Sequence, residues 1–212
     1  MPLTLAVALA LASQCAPEVA PETLLSVVQV ESRFNPLAVG INGTPRLTSA
    51  PLSLQDAISK AQTLIAAGRS VDLGLGQINS RNLGWLGLSL PQAFEPCANL
   101  AAAARVLRAG YARNAVTGDD QAALRRALSL YNTGNPERGI QNGYVAKVAS
   151  AATVVVPAIE VAETAPTVRS PPSLEAAIRP RQPPPAWDVF GQSTVGRRFV
   201  LHIAAQPEGA SK

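Results

Sequence analysis

Pro21-Glu22-Thr23-Leu24-Leu25-Ser26-Val27-Val28-Gln29-Val30-Glu31-Ser32-Arg33-Phe34-Asn35-Pro36 reads as one helix that carries a carboxylate in its apolar stripe. Proline is pre-organised for the first helical position, and Glu22 sits at the positive end of the helix dipole. The residue before Pro36 is biased away from the α region, so the helix is expected to run to about Arg33. Leu24, Val27, Val28 and Glu31 share one face, because Glu31 lies at helical spacings of i+7, i+4 and i+3 from the other three. Burying a carboxylate without a partner is costly and typically raises its pKa. A carboxylic acid held near neutrality by an apolar pocket can protonate a glycosidic oxygen, a poor leaving group without that proton. The competing reading is a Glu at the helix end that reaches solvent and turns inward only on an ideal wheel.

Outward from this helix the chain keeps helical patterning. Residues 3–13 are apolar and read as a first helix or as a short export signal, although no Lys or Arg precedes them. Ser53-Leu54-Gln55-Asp56 reads as a capping box opening a helix that Gly68 closes. Asp72-Leu73-Gly74-Leu75-Gly76-Gln77-Ile78-Asn79 places two glycines where the backbone can turn sharply or approach a ligand. It is no phosphate loop, since the Lys-Ser/Thr pair is missing. A helix follows Pro96-Cys97, another spans about 121–131 with Asp119 or Asp120 as cap, and an amphipathic segment begins near Gln141.

Composition agrees with a mainly α fold. Of 212 residues 47% are hydrophobic but only 4% aromatic, and small or unbranched side chains lose little rotamer freedom in a helix. The formal charge of +4 suits an anionic partner. With no basic run and no basic stripe interleaved with aromatics, nucleic acid is not an expected partner. The single His202 lies in a Pro-rich tail, which argues against His-rich metal sites and a Ser-His-Asp arrangement. No motif calls for a metal or organic cofactor. Cys15 and Cys97 form either one disulfide, as suits an oxidising compartment, or two buried thiols. Ten apolar residues at the start are too few to span a bilayer.

Four motifs in order, Glu31-Ser32-Arg33-Phe34-Asn35-Pro36, Gly74-Leu75-Gly76-Gln77-Ile78-Asn79, Tyr131-Asn132-Thr133-Gly134 and Tyr144-Val145, resemble the soluble lytic transglycosylase family. Cys15-Ala16-Pro17, the insert at about 42–71, Pro96-Cys97 and a tail containing Trp187-Asp188-Val189-Phe190-Gly191 are similar to its subgroup associated with type IV secretion and conjugation. The resemblance implies a lysozyme-like helical domain over residues 1–155 that acts in the periplasm on peptidoglycan glycan strands. Glu31 would protonate the bond between N-acetylmuramic acid and N-acetylglucosamine and then act as base, leaving a 1,6-anhydro end. Gln77 matches the family's glutamine beside the sugar, Tyr144 a tyrosine near the catalytic carboxyl, and Tyr131 and Asn132 the groove floor. Ser32 and Asn79 are counted as substrate contacts through their places in the motifs.

Two departures from the family pattern stand out. Many of these enzymes carry Ser nine positions after the catalytic Glu, where this chain has Gly40, so a polar sugar contact is missing or supplied by Asn42. Asp72 offers a second carboxylate, and with it the alternative of a hydrolysing, lysozyme-like muramidase. Residues 156–212, with Pro171-Pro172 and Pro183-Pro184-Pro185, read as a largely disordered tail with a docking segment at 186–201 for secretion-system components. A non-catalytic wall-binding or assembly protein working through that tail is the third reading.

Overall fold

The computed structural model describes residues 1–42, 49–115 and 119–164, with side chains as far as residue 159. Readings that concern residues 165–212, including the docking segment, lie outside the described residues.

Among those residues the chain forms eight α-helices and a three-stranded sheet: α1 (Leu5–Cys15), α2 (Pro21–Glu31), β1 (Val39–Ile41), α3 (Leu54–Ala66), β2 (Val71–Leu73), β3 (Ile78–Asn79), α4 (Leu83–Leu86), α5 (Pro96–Asn114), α6 (Asp120–Thr133), α7 (Arg138–Gln141) and α8 (Tyr144–Thr164). The expected mainly α architecture is what the chain adopts. Its local signals act as their chemistry dictates. The Ser53 hydroxyl accepts the Asp56 N–H at 3.1 Å, and the Asp56 carboxylate reaches back to the Leu52 N–H at 2.9 Å. Asp119, not Asp120, caps α6 by accepting the Ala122 N–H at 2.9 Å, and Gly134 ends that helix in the left-handed conformation.

The main core is helical. The apolar start enters it as α1, two residues later than the 3–13 read from sequence: Ala8 and Ala12 on the helix and Ala16 just after it are buried, and α1 lies against α2, α5 and α8. The Leu3 N–H donates to the Phe34 carbonyl at 2.8 Å, tying the start of the chain to the end of α2. On α2, Leu24, Val27 and Val28 are wholly enclosed, mainly against α8. The helix therefore presents Glu31 at its last turn, beside the stripe that anchors it. The final helix passes residue 155, the boundary set from sequence, and Ile159 is still buried in the core. Pro157 lies within it on an exposed face; its missing N–H and ring remove one helical hydrogen bond without ending the helix.

A second, smaller cluster joins α3 to the sheet, with Ala57, Ala61, Val71, Leu73, Ala93 and Phe94 at its centre. The strands run in the order β1-β2-β3, all antiparallel, with Gly40 opposite Asp72 and Asp72 opposite Asn79. Side chains alternate between the faces of a sheet, so Val71 and Leu73 pack inward while Gly40, Asp72 and Asn79 line the other face. Sequence patterning did not anticipate this sheet, because strands of two or three residues are too short to show alternation.

Cys15, at the end of α1, is disulfide-bonded to Cys97, in the first turn of α5, with Cα atoms 5.4 Å apart and a sequence separation of 82. Closing so long a loop restricts the unfolded chain, which in the chain-entropy treatment corresponds to ~4 kcal/mol. Reduction, or Cys97→Ser, is expected to lower unfolding free energy by about 2–4 kcal/mol, read from urea denaturation with and without reductant.

Candidate active site

Glu31 sits where the helical core meets the polar face of the sheet. Tyr144, the first residue of α8, donates its hydroxyl to Glu31 Oε1 at 2.5 Å. The two residues are 113 positions apart, and the packing of α2 on α8 brings them together. Burial raises the Glu31 pKa to about 7; the Tyr144 hydrogen bond works against this, and the Asp72 charge adds to it. Tyr144 stays protonated, because burial and then the Glu31 charge push its phenol far above the usual range. Around neutrality Glu31 thus divides between acid and carboxylate, the condition a group needs to give a proton and take one back.

Loss of the acid form with rising pH implies that any reaction that needs a proton from Glu31 slows above about pH 7. Tyr144→Phe removes a hydrogen bond that favours the charged form, so it should move that descending limb to higher pH while lowering the rate. A pH–rate profile of both proteins checks the direction, and a limb that shifts downward would contradict it.

The loop from Gly74 to Gln77 forms the facing wall, and Asn99 on α5 holds it from behind. This fully buried amide donates to the Leu73 and Ala93 carbonyls at 2.9 and 2.6 Å and accepts the Gly76 N–H at 2.7 Å. Tyr131 adds a further tie by donating its hydroxyl to the Gly76 carbonyl at 2.6 Å. Both glycines are required. A Cβ at Gly74 would lie 2.5 Å from the Ala93 carbonyl, and one at Gly76 2.8 Å from both Ala103 and the Tyr131 hydroxyl.

Gln77 follows with φ +50, an uncommon conformation for a residue with a side chain. Its amide nitrogen donates to the Ala38 and Gly74 carbonyls at 3.2 and 2.9 Å. Its oxygen lies over Gly40, where an added Cβ would be only 2.6 Å away. The missing side chain at position 40 is thus matched to Gln77 lying across it. The Asn42 amide donates to Asp72 Oδ2 at 2.8 Å. Asn79 donates to Asp72 Oδ1 at 2.7 Å, so both oxygens of Asp72 are held by amides. Burial raises the Asp72 pKa and these two hydrogen bonds lower it.

The remaining expected contacts divide. Asn132 is exposed, and its carbonyl oxygen accepts from Asn142 at 3.1 Å; Asn142 in turn accepts the Tyr144 N–H at 2.9 Å. Ser32 turns its hydroxyl to the Val28 carbonyl of its own helix at 3.3 Å, and Asn79 is engaged with Asp72. Tyr131 acts on the loop through its hydroxyl. Sequence reasoning missed Asn99 and Asn142; the signal for Asn99 was a polar residue in an otherwise Ala- and Leu-rich helix start.

The family model described as "Transglycosylase SLT domain" matches residues 8–152. A relative named "Type IV secretion system protein virB1", from Brucella suis biovar 1, is 42% identical over 186 residues, covering 82% of this chain and 76% of its own. "Protein virB1" from Rhizobium radiobacter is 42% identical over 183 residues, covering 85% and 70%. "Protein virB1" from Agrobacterium fabrum is 46% identical over 149 residues, covering 69% and 59%. No solved structure matches. With a family model spanning the helical core and relatives aligned over most of its length, this chain belongs to the SLT family of peptidoglycan-cleaving lytic transglycosylases.

Proposed function

We propose that the chain cleaves the bond between N-acetylmuramic acid and N-acetylglucosamine with a single acid–base residue and leaves a 1,6-anhydro end. The observation that carries this reading is Glu31, with its pKa near 7 and Tyr144 fixing its carboxyl. Glu31 gives its proton to the bridging oxygen as the bond to C1 of muramic acid breaks, the electron pair leaving with that oxygen. The O6 hydroxyl of the same sugar then bonds to C1, and its proton returns to Glu31. No water is consumed and the residue is regenerated. Gln77 Oε1 and the exposed Asn132 are the polar groups offered to the sugars.

Hydrolysis through Asp72 is the second reading, favoured by its place on the polar face within electrostatic reach of Glu31. Each Asp72 oxygen already accepts an amide N–H, which suits a fixed negative charge beside a cationic sugar better than a nucleophile. Muropeptides released from purified peptidoglycan, weighed by mass spectrometry, separate the two. Masses one water below the hydrolysed products support the anhydro route, and reducing muramic ends support hydrolysis.

We further propose that the chain opens the wall locally, in the periplasm, for a type IV secretion or conjugation apparatus that its Pro-rich tail recruits; the name of the Brucella suis relative, a type IV secretion system protein, supports the secretion role. The disulfide fits an oxidising compartment. No helix among the described residues is long and apolar enough to cross a membrane.

A further inference from the structure

The two sides of the first turn of α5 meet different surroundings. Cys97 is exposed and bonded to Cys15, whereas Asn99, two positions on and about 200° round the helix, is fully buried. Other fastenings of this turn are few. Pro96 has no N–H, and Glu95 at the cap position makes no side-chain hydrogen bond to the helix. The residues that α1 buries fully, Ala8 and Ala12, bring little apolar area to its packing on α5. The buried side of the turn is the one that serves the site, because Asn99 holds the Gly76 N–H and the Leu73 and Ala93 carbonyls with one amide. A bond at the surface is thus connected, through a single helical turn, to the loop that aims Gln77.

We propose that the Cys15–Cys97 bond is a redox switch for the site: oxidised, it fixes the first turn of α5 and keeps Asn99 on the loop; reduced, it frees that turn and Gln77 loses its aim. Tyr131 still holds the Gly76 carbonyl from α6, so the loop loosens without leaving the core. Glu31 and Tyr144 lie on α2 and α8, which pack on each other, so the acid keeps its setting in both states. The exposed position of Cys97 leaves the bond open to thiol exchange. To close it, the Cys97 thiolate attacks one sulfur of an oxidant disulfide, and the Cys15 thiolate then attacks Cys97 in the mixed disulfide. The protein gives up two electrons and two protons, and the oxidant, a glutathione disulfide or the exposed disulfide of a thiol oxidoreductase, leaves as two thiols. A chain built this way is latent in a reducing compartment and competent in an oxidising one. The inference rests on the proposed glycan cleavage and adds how that activity is regulated.

The test compares the full chain before and after reduction with dithiothreitol, with thiol titration to establish that both cysteines are free. Circular dichroism follows the helices, kcat/KM on glycan strands follows the activity, and the amide resonances of isotope-labelled protein follow the loop. Reduction should leave the helical signal intact, lower kcat/KM by about ten- to a hundredfold, and shift the Gly76 and Gln77 amides. The descending limb of the pH–rate profile should stay in place, whereas a general loosening would hydrate Glu31 and carry the limb to lower pH. A double variant, Cys15→Ser with Cys97→Ser, should match the reduced protein and ignore the reductant. Unchanged kcat/KM, a limb that moves with the rate, or a reduced chain that unfolds outright each overturns the proposal. If neither form cleaves glycan, the proposed activity falls and the amides still decide the switch: shifted on reduction, it stands; unmoved, it falls with the activity.

Discussion

Glu31→Gln is expected to abolish glycan cleavage, a loss of about 10²–10⁴-fold, while making the protein more stable at neutral pH. The amide fills the same space and still accepts the Tyr144 hydrogen bond, but it has no proton to transfer. The stability gain follows from linkage. In the unfolded chain this carboxyl ionises near 4.5, and in the native protein near 7. Below about pH 4.5 both states hold the proton and Glu31 carries no penalty. Between those values the unfolded chain ionises first, so native stability declines as pH rises, and above about 7 the full penalty applies. The amide escapes it, and the gain is on the order of 1–3 kcal/mol once partial solvent screening is allowed for. Urea denaturation of both proteins at pH 4 and pH 8 should show curves that nearly coincide at the lower pH and separate at the higher. An inactive variant that is also destabilised at pH 8 would mean that Glu31 holds the fold together, and its assignment as the acid would fall.

That combination also explains how Glu31 could be read from sequence at all. A carboxylate at helical spacing from Leu24, Val27 and Val28 conflicts with the pattern around it, and such conflicts concentrate where function outweighs stability. The helices were legible for the complementary reason: caps at Ser53 and Asp119 and stops at Gly68 and Gly134 act within a few residues of chain. The sheet was not, since its strands are defined by pairing partners about thirty positions apart in the case of β1 and β2. Among the site residues, Tyr144 bonds to Glu31 and Gln77 to the Ala38 carbonyl, whereas Ser32 and Tyr131 turn their hydroxyls to backbone carbonyls. Motif membership cannot distinguish a group that meets substrate from one that positions the loop that does. Asn42 shows the same limit, because its commitment to Asp72 depends on register, which spacing along the chain does not reveal.

Asn99→Leu should be the most damaging single change outside the acid itself. Leucine has a similar volume and suits a helix, so packing and propensity change little. What is lost is the partner of the Gly76 N–H and of the Leu73 and Ala93 carbonyls, all in the interior behind the loop that faces Glu31. A buried main-chain group left unpaired costs about 1–3 kcal/mol, so the expected destabilisation is about 3–5 kcal/mol. Activity should fall further than the folded fraction accounts for, because Gln77 is aimed by the same turn that Asn99 secures. Tyr131→Phe removes the other tie to Gly76 and should cost about 1–2 kcal/mol alone. Because both residues act on Gly76, their effects should not add, and a double-mutant cycle should return a coupling of at least about 0.5 kcal/mol. Additive losses would mean that the two ties hold independent parts of the loop, and that the aim of Gln77 depends on its own hydrogen bonds to Ala38 and Gly74 instead.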